Sequence, residues 1–344
     1  MKFPKRFPST QILLSILLTS VALASESSAA TQMATRSDRQ FEALPLSRSH
    51  QNHLLVRAFI NNKPALLIVD TGSPGTVINA RRRQYFGLSN APASMQWPRQ
   101  VQVNGAFNSL VIAKTLRLGE LNITDVPVVL ADMSGARQAS RMQREQQADG
   151  ILGADALYNT KSILDCQEQL LIINMSPEKP GRAPGVDTRG FQAMPMIMSE
   201  GLNFYVDGSV NGTAARLMVD TGAFATLLHR PFVRELRIPL RETSFQSARI
   251  NLADDNVEVA RIKKLSLGVV DIVGKQVGVT DLAGVLHNGL RSNPPVVGLL
   301  GGEILHRNHA IIDFGTRTLY LKRESDRSAP KARRGPRGGP VQPD

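Results

Sequence analysis

The stretch that decides the fold is Ala65-Leu66-Leu67-Ile68-Val69-Asp70-Thr71-Gly72-Ser73. It returns 150 residues later as Ala215-Arg216-Leu217-Met218-Val219-Asp220-Thr221-Gly222-Ala223. In each copy an apolar run ends on an aspartate, and a glycine follows two positions on. Apolar runs of this length between turn residues are the pattern of buried strands. The glycine permits a tight turn directly after the strand. A second apolar pair follows each turn, Val77-Ile78 in the first copy and Leu227-Leu228 in the second.

The repeat extends outward from this stretch. Asn61 matches Asn211 at an offset of 150, and Leu118-Gly119 matches Leu267-Gly268 at 149. Ile151-Leu152-Gly153 matches Leu299-Leu300-Gly301, and Ile163-Leu164-Asp165 matches Ile311-Ile312-Asp313, both at 148. A drift of two residues over the whole unit marks two copies of one lobe of about 120 residues. Most segments are short strand-like runs with turn punctuation. Short helices are predicted over Ala80–Phe86, Asp155–Asn159, Arg230–Leu236 and Glu303–Arg307. The expected fold is all-β and bilobal, with two related barrel-like lobes and a cleft between them.

Composition bounds the rest. Apolar residues at 42% and charged residues at 20% describe a globular chain, and 344 residues suffice for two lobes. The single Cys166 excludes a disulfide framework and a cysteine zinc ribbon. An aromatic content of 5% argues against an RNA-stacking platform. Half of the +12 net charge lies at the two ends, so no nucleic-acid partner is expected from it.

Residues 1–30 read as an export signal: Lys2, Lys5 and Arg6, then an apolar run from Ile12 to Ala24. Ala22-Leu23-Ala24 and Ser28-Ala29-Ala30 are alternative cleavage sites, and an uncleaved anchor is the other reading. Residues 31–47 are expected to be a linker or short pro-segment, 48–176 the N-terminal lobe and 199–323 the C-terminal lobe. Pro177, Pro180, Gly181, Pro184 and Gly185 mark 177–198 as the inter-lobe connection. Residues 324–344 form a basic tail, read as disordered and solvated, with polyanion binding by Arg333, Arg334 and Arg337 as the alternative. The mature chain is expected to be exported, periplasmic or extracellular, without stable membrane insertion after signal cleavage.

Two aspartates at the ends of buried strands carry specific chemistry. A buried charged carboxylate without a partner is costly. Two of them brought together share a proton, and their titrations separate. The charged member can take a proton from a water molecule, and the protonated member can donate to a carbonyl oxygen. Thr71 and Thr221 can cross-bond between the lobes and fix the loop separation.

These residues resemble the pepsin-like and retropepsin-like aspartic proteases over roughly residues 50–323. Asp70-Thr71-Gly72-Ser73 and Asp220-Thr221-Gly222-Ala223 match that family's catalytic loops. Ile151-Leu152-Gly153 and Leu299-Leu300-Gly301 match the segments that pack under them. The short lobes and Ala223 resemble the bacterial retropepsin-like branch, with both lobes in one chain. The resemblance implies Asp70 and Asp220 as catalytic residues and a monomer that builds a complete site. It also implies a flap, placed on Gln100–Phe107 with Val103, Asn104, Gly105 and Ala106 at its turn, and a counterpart over Arg249–Asn256. Tyr85, Tyr158, Tyr205 and Tyr320 all lie outside these hairpins, so a pepsin-type flap tyrosine is absent.

The function expected is an exported aspartic endopeptidase acting on an extended peptide or protein substrate, with no metal and no organic cofactor. The alternative is a catalytically silent peptide-binding protein of the same fold. Other residues read as structural. Asp165 and Asp313 precede turns, His229 begins a helix, and Cys166 aligns with the apolar Phe314. Glu303-x-x-His306-x-x-His309 lacks the spacing of a zinc helix.

Overall fold

Leu54–Ile60 and Lys63–Val69 pair as a hairpin, turned at Asn61 and Asn62 with φ of 49° and 63°. Asparagine tolerates this left-handed backbone better than branched residues do. Asn61 also fastens the turn: its Nδ2 donates to Phe86 O at 2.8 Å, and its Oδ1 accepts from Thr115 N at 3.0 Å. The second lobe repeats the device with Phe204–Val210 and Thr213–Val219, where Asn211 Oδ1 accepts from Lys263 and Lys264 N–H groups. The computed structural model describes residues 40–92, 99–103, 106–133, 147–179, 181, 183–243, 246–249 and 252–323. It is mostly β, in two lobes.

The strand that matters most for the site is short. Gly150–Leu152 lies between Lys63–Val69, to which it runs parallel, and Val77–Asn79, to which it runs antiparallel. Val296–Leu300 occupies the same place between Thr213–Val219 and Leu227–His229. Gly150 and Gly298 make the approach possible, since an added Cβ would stand 2.3 Å from Val77 O and 2.2 Å from Leu227 O. Leu67, Val69, Leu152, Leu217, Val219 and Leu300 are fully buried in one core shared by both lobes. Ile68, Val77 and Ile151 face the other way, into a cluster covered by Val101, Val103 and Met133. The matching cluster of Met218, Leu227 and Leu299 is covered instead by Leu282, Leu286 and Leu290.

A third sheet joins the lobes. Its six strands include Ile163–Asp165 against Ile311–Asp313, paired Ile163 to Asp313, Leu164 to Ile312 and Asp165 to Ile311. That register is symmetric about its middle pair, as an internal two-fold requires. Its two edge strands come from outside the two expected lobes. Phe41–Pro45, inside the stretch expected as a linker, pairs with Leu170–Asn174, and Ser47–Arg48 pairs with Leu54–Leu55. Gln192–Pro195 and Ile197–Met198, inside the expected inter-lobe connection, pair with Thr318–Leu321 and Phe204–Tyr205. Pro45 and Pro195 are tolerated because both strands lie at sheet edges, where a missing N–H breaks no ladder.

The short helices fall at Arg83–Phe86 after a 3₁₀ turn at Ala80–Arg82, and at Ala154–Asn159, Arg230–Glu235 and Gly302–Arg307. A further helix, Ala283–Leu286, continues as the 3₁₀ segment His287–Arg291. Among the described residues no helix is long and apolar enough to cross a membrane. The proposed signal and the basic tail lie outside the described residues.

Candidate active site

Asp70 and Asp220 meet where the two lobes touch. Each backbone N–H is tied to the short central strand of its own lobe, Asp70 N to Leu152 O and Asp220 N to Leu300 O, both at 3.1 Å. The next turn of each loop is tied as well. Ala154 N donates to Ser73 O and Gly302 N to Ala223 O, both at 2.8 Å. Gly153 and Gly301 sit directly beneath. A Cβ there would stand 2.4 Å from the Gly75 carbonyl carbon and 2.3 Å from the Ala225 one.

The two loops are then locked to each other by their threonines. Thr71 Oγ1 donates to Val219 O and Thr221 Oγ1 donates to Val69 O, both at 2.7 Å. Each hydroxyl also accepts the opposite threonine's N–H at 3.1 Å. Thr71 and Thr221 are buried, so these four bonds have no competing water.

The glycines let the carboxyls close in. An added Cβ on Gly72 would lie 2.5 Å from Asp220 Cγ, and one on Gly222 would lie 2.3 Å from Asp70 Cγ. The two carboxyls are close enough to act on each other electrostatically. Asp70 Oδ1 accepts from Gly72 N at 2.8 Å, and Asp220 Oδ1 from Gly222 N and Ala223 N at 2.9 Å each. The Ser73 hydroxyl turns away from the pair to donate to Gly75 O at 2.8 Å.

Burial raises both carboxyls above the ordinary aspartate range. Asp220 is raised well above it, by desolvation first and then by the nearby charge of Asp70. For Asp70, desolvation is opposed chiefly by the Gly72 N–H and then by the charge of His53. Two carboxyls this close, both raised, hold one proton between them more readily than two charges. Chemically, such a pair can accept a proton from a water and donate one to an oxygen in the same step.

Several supporting residues were not marked by sequence reasoning. Thr76 Oγ1 donates to Asp155 Oδ1 at 2.8 Å and accepts from Gly153 N at 3.3 Å. Thr226 Oγ1 accepts from Gly301 N at 3.0 Å, while Thr226 N donates to Glu303 Oε2 at 2.7 Å. The signal was available, because Thr76 and Thr226 repeat at 150 and Asp155 and Glu303 at 148. Glu303 is thereby a loop support, with Lys275 3.7 Å from its other oxygen. His53 also contacts the site, with Nε2 3.0 Å from Gly222 O.

Of the expected flap, Gln100–Val103 pairs with Ala106–Ser109, Val103 facing Ala106. Asn104 and Gly105 lie outside the described residues. Its counterpart pairs Gln246–Arg249 with Leu252–Asn256. A cavity of about 560 Å³ on the first lobe, lined by Arg57, Pro64, Arg82, Tyr85 and Asp149, reaches neither aspartate. Asp165 and Asp313 cap turns, accepting from Gln167 and Glu168 N–H and from Thr316 N–H respectively.

Comparison with known families is decisive here. The family model described as "Aspartyl protease" matches residues 56–156, and the one described as "gag-polyprotein putative aspartyl protease" matches residues 206–307. Each covers one lobe, and together they span more than half of the chain. The chain belongs to the retropepsin-like aspartic proteases. A solved structure similar to this chain is that of Basic 7S globulin from soybean, at 9% identity and a TM-score of 0.39. The match covers 82% of this chain and 95% of that one. No curated protein sequence matches the chain.

Proposed function

We propose that this protein is an exported aspartic endopeptidase, with Asp70 and Asp220 as its catalytic residues. The observation that carries the reading is the convergence of the Asp70 and Asp220 carboxyls at the junction of two loops locked together by Thr71 and Thr221. Asp70, as carboxylate, takes a proton from a water held between the two side chains. Asp220 gives its proton to the oxygen of the peptide carbonyl as that water attacks. Charge is conserved across the pair, and no covalent intermediate forms. The loops need not reorganise during the step, because the threonine bonds hold them in advance. An extended peptide docks as an added strand under the hairpin Gln100–Ser109. Export is supported by the basic and apolar pattern of residues 1–30. Both lobes of the site come from one chain, which supports action as a monomer.

Asp70→Asn and Asp220→Asn test this reading. Each should lose at least about a thousandfold in peptide turnover while keeping a cooperative thermal transition, because asparagine keeps the shape and removes the proton chemistry. Turnover by either variant at the wild-type rate would remove the mechanism.

A further inference from the structure

The two aspartate loops are related by the repeat, but their surroundings differ at one titratable position. Position 53 corresponds to position 203, and holds histidine where the second lobe holds asparagine. Asn203 is buried, and its N–H donates to Ser199 Oγ at 3.3 Å, closing its own turn. His53 closes the same turn through Ser49 Oγ at 3.1 Å, but its ring crosses to the other lobe and meets Gly222 O at 3.0 Å. A carbonyl only accepts, so Nε2 carries a proton there. Asn52 Nδ2 pins the same turn to Phe224 O at 3.2 Å. Gly222 in turn lies against the Asp70 carboxyl, with room for no Cβ between them. An imidazolium at this place favours the charged form of Asp70.

We propose that His53 is a positioning residue of the dyad, which holds the Gly222 carbonyl and, when protonated, keeps the negative charge of the pair on Asp70. The proposal rests on the reading of Asp70 and Asp220 as a proton-sharing pair. The charged and titratable groups around the turn are Arg48 and His50 on its own segment, the two aspartates, and Glu303 and His306 on the helix Gly302–Arg307. Arg48 is held by Asn52 Oδ1 at 3.3 Å and Cys166 O at 2.7 Å, and His306 Nδ1 lies 3.2 Å from that same carbonyl. His50 is exposed, and Glu303 is turned to Thr226 and Lys275. Of these side chains, His53 is the one that meets a backbone carbonyl of the second aspartate loop.

The test is a carboxyl ¹³C NMR titration of the aspartate-labelled full chain, comparing wild type with His53→Asn and His53→Lys. Asp70→Asn and Asp220→Asn assign the signals. In His53→Asn the singly charged pair should bind its next proton about threefold more tightly or better, and in His53→Lys no more tightly than in wild type. Peptide turnover on the acid limb should fall by the same factor relative to its plateau. An unchanged titration in folded His53→Asn overturns the proposal, whether or not the protein cleaves peptides. If His53→Asn does not fold, tighter proton binding in His53→Lys than in wild type overturns it. A shifted titration in a protein that cleaves nothing would instead uphold the role of His53 and remove the endopeptidase reading.

Discussion

Replacing Thr221 with valine keeps a branched side chain and removes one hydroxyl. That hydroxyl donates to Val69 O at 2.7 Å and accepts from Thr71 N at 3.1 Å, in a residue that is 2% exposed. The variant leaves one N–H and one C=O buried with neither partner nor water. Each such group costs about 1–3 kcal/mol. The expected loss is therefore about 2–5 kcal/mol, of which the added methyl recovers less than about 1 kcal/mol. In equilibrium urea unfolding this lowers the midpoint by about 1 M, for an m-value of about 2–3 kcal/mol/M. Thr71→Val should lose a similar amount, because its hydroxyl makes the mirror pair of bonds to Val219 O and Thr221 N. The control is Thr316→Val on an exposed turn, expected within about 0.5 kcal/mol of wild type. If the two buried variants lose no more than this control, the cross-lobe bonds do not hold the loops together.

Other outcomes follow from the same geometry. Gly222→Ala puts a Cβ 2.3 Å from Asp70 Cγ, so peptide turnover should drop at least about a hundredfold, with a stability cost of about 1–3 kcal/mol read by denaturation. Burial holds Asp220 well above its ordinary value of 3.8, so on raising pH the unfolded chain ionises first. Stability then falls from the ordinary value up to the raised one and stays reduced above it. Asp220→Asn should melt higher than wild type near about pH 7 and lose that advantage toward about pH 3; the opposite trend would contradict the burial argument. Cys166 is buried and its thiol is pushed up to about 12 by desolvation, so a thiol reagent at mildly alkaline pH should label it only as fast as the protein unfolds.

The meeting of the two Asp-Thr-Gly loops was legible because the repeat prints each part twice at nearly constant spacing. Strand, aspartate, turn glycine and the Leu-Gly beneath are all local patterns, and duplication separates them from chance. The edge strands were harder. Phe41-Glu42-Ala43-Leu44-Pro45-Leu46 repeats as Phe191-Gln192-Ala193-Met194-Pro195-Met196 at 150, but proline and outward polar residues hide the alternation. The helix Ala283–Leu286 has too few residues to show a period, and is fixed by packing of Leu282, Leu286 and Leu290 on the second lobe. His53 carried no signal of its own. Its neighbour across the lobe boundary is 169 residues away in sequence, and only the folded chain brings them together.

The proposed reaction has one water, activated between Asp70 and Asp220, hydrolyse peptide bonds. Digestion of a mixed peptide library by the folded protein between about pH 3 and pH 8, read by mass spectrometry, tests it most directly. New termini are expected at internal bonds, suppressed by a statine-containing inhibitor and absent with Asp70→Asn. A folded wild-type protein that binds the library peptides and cleaves none at any pH would contradict it.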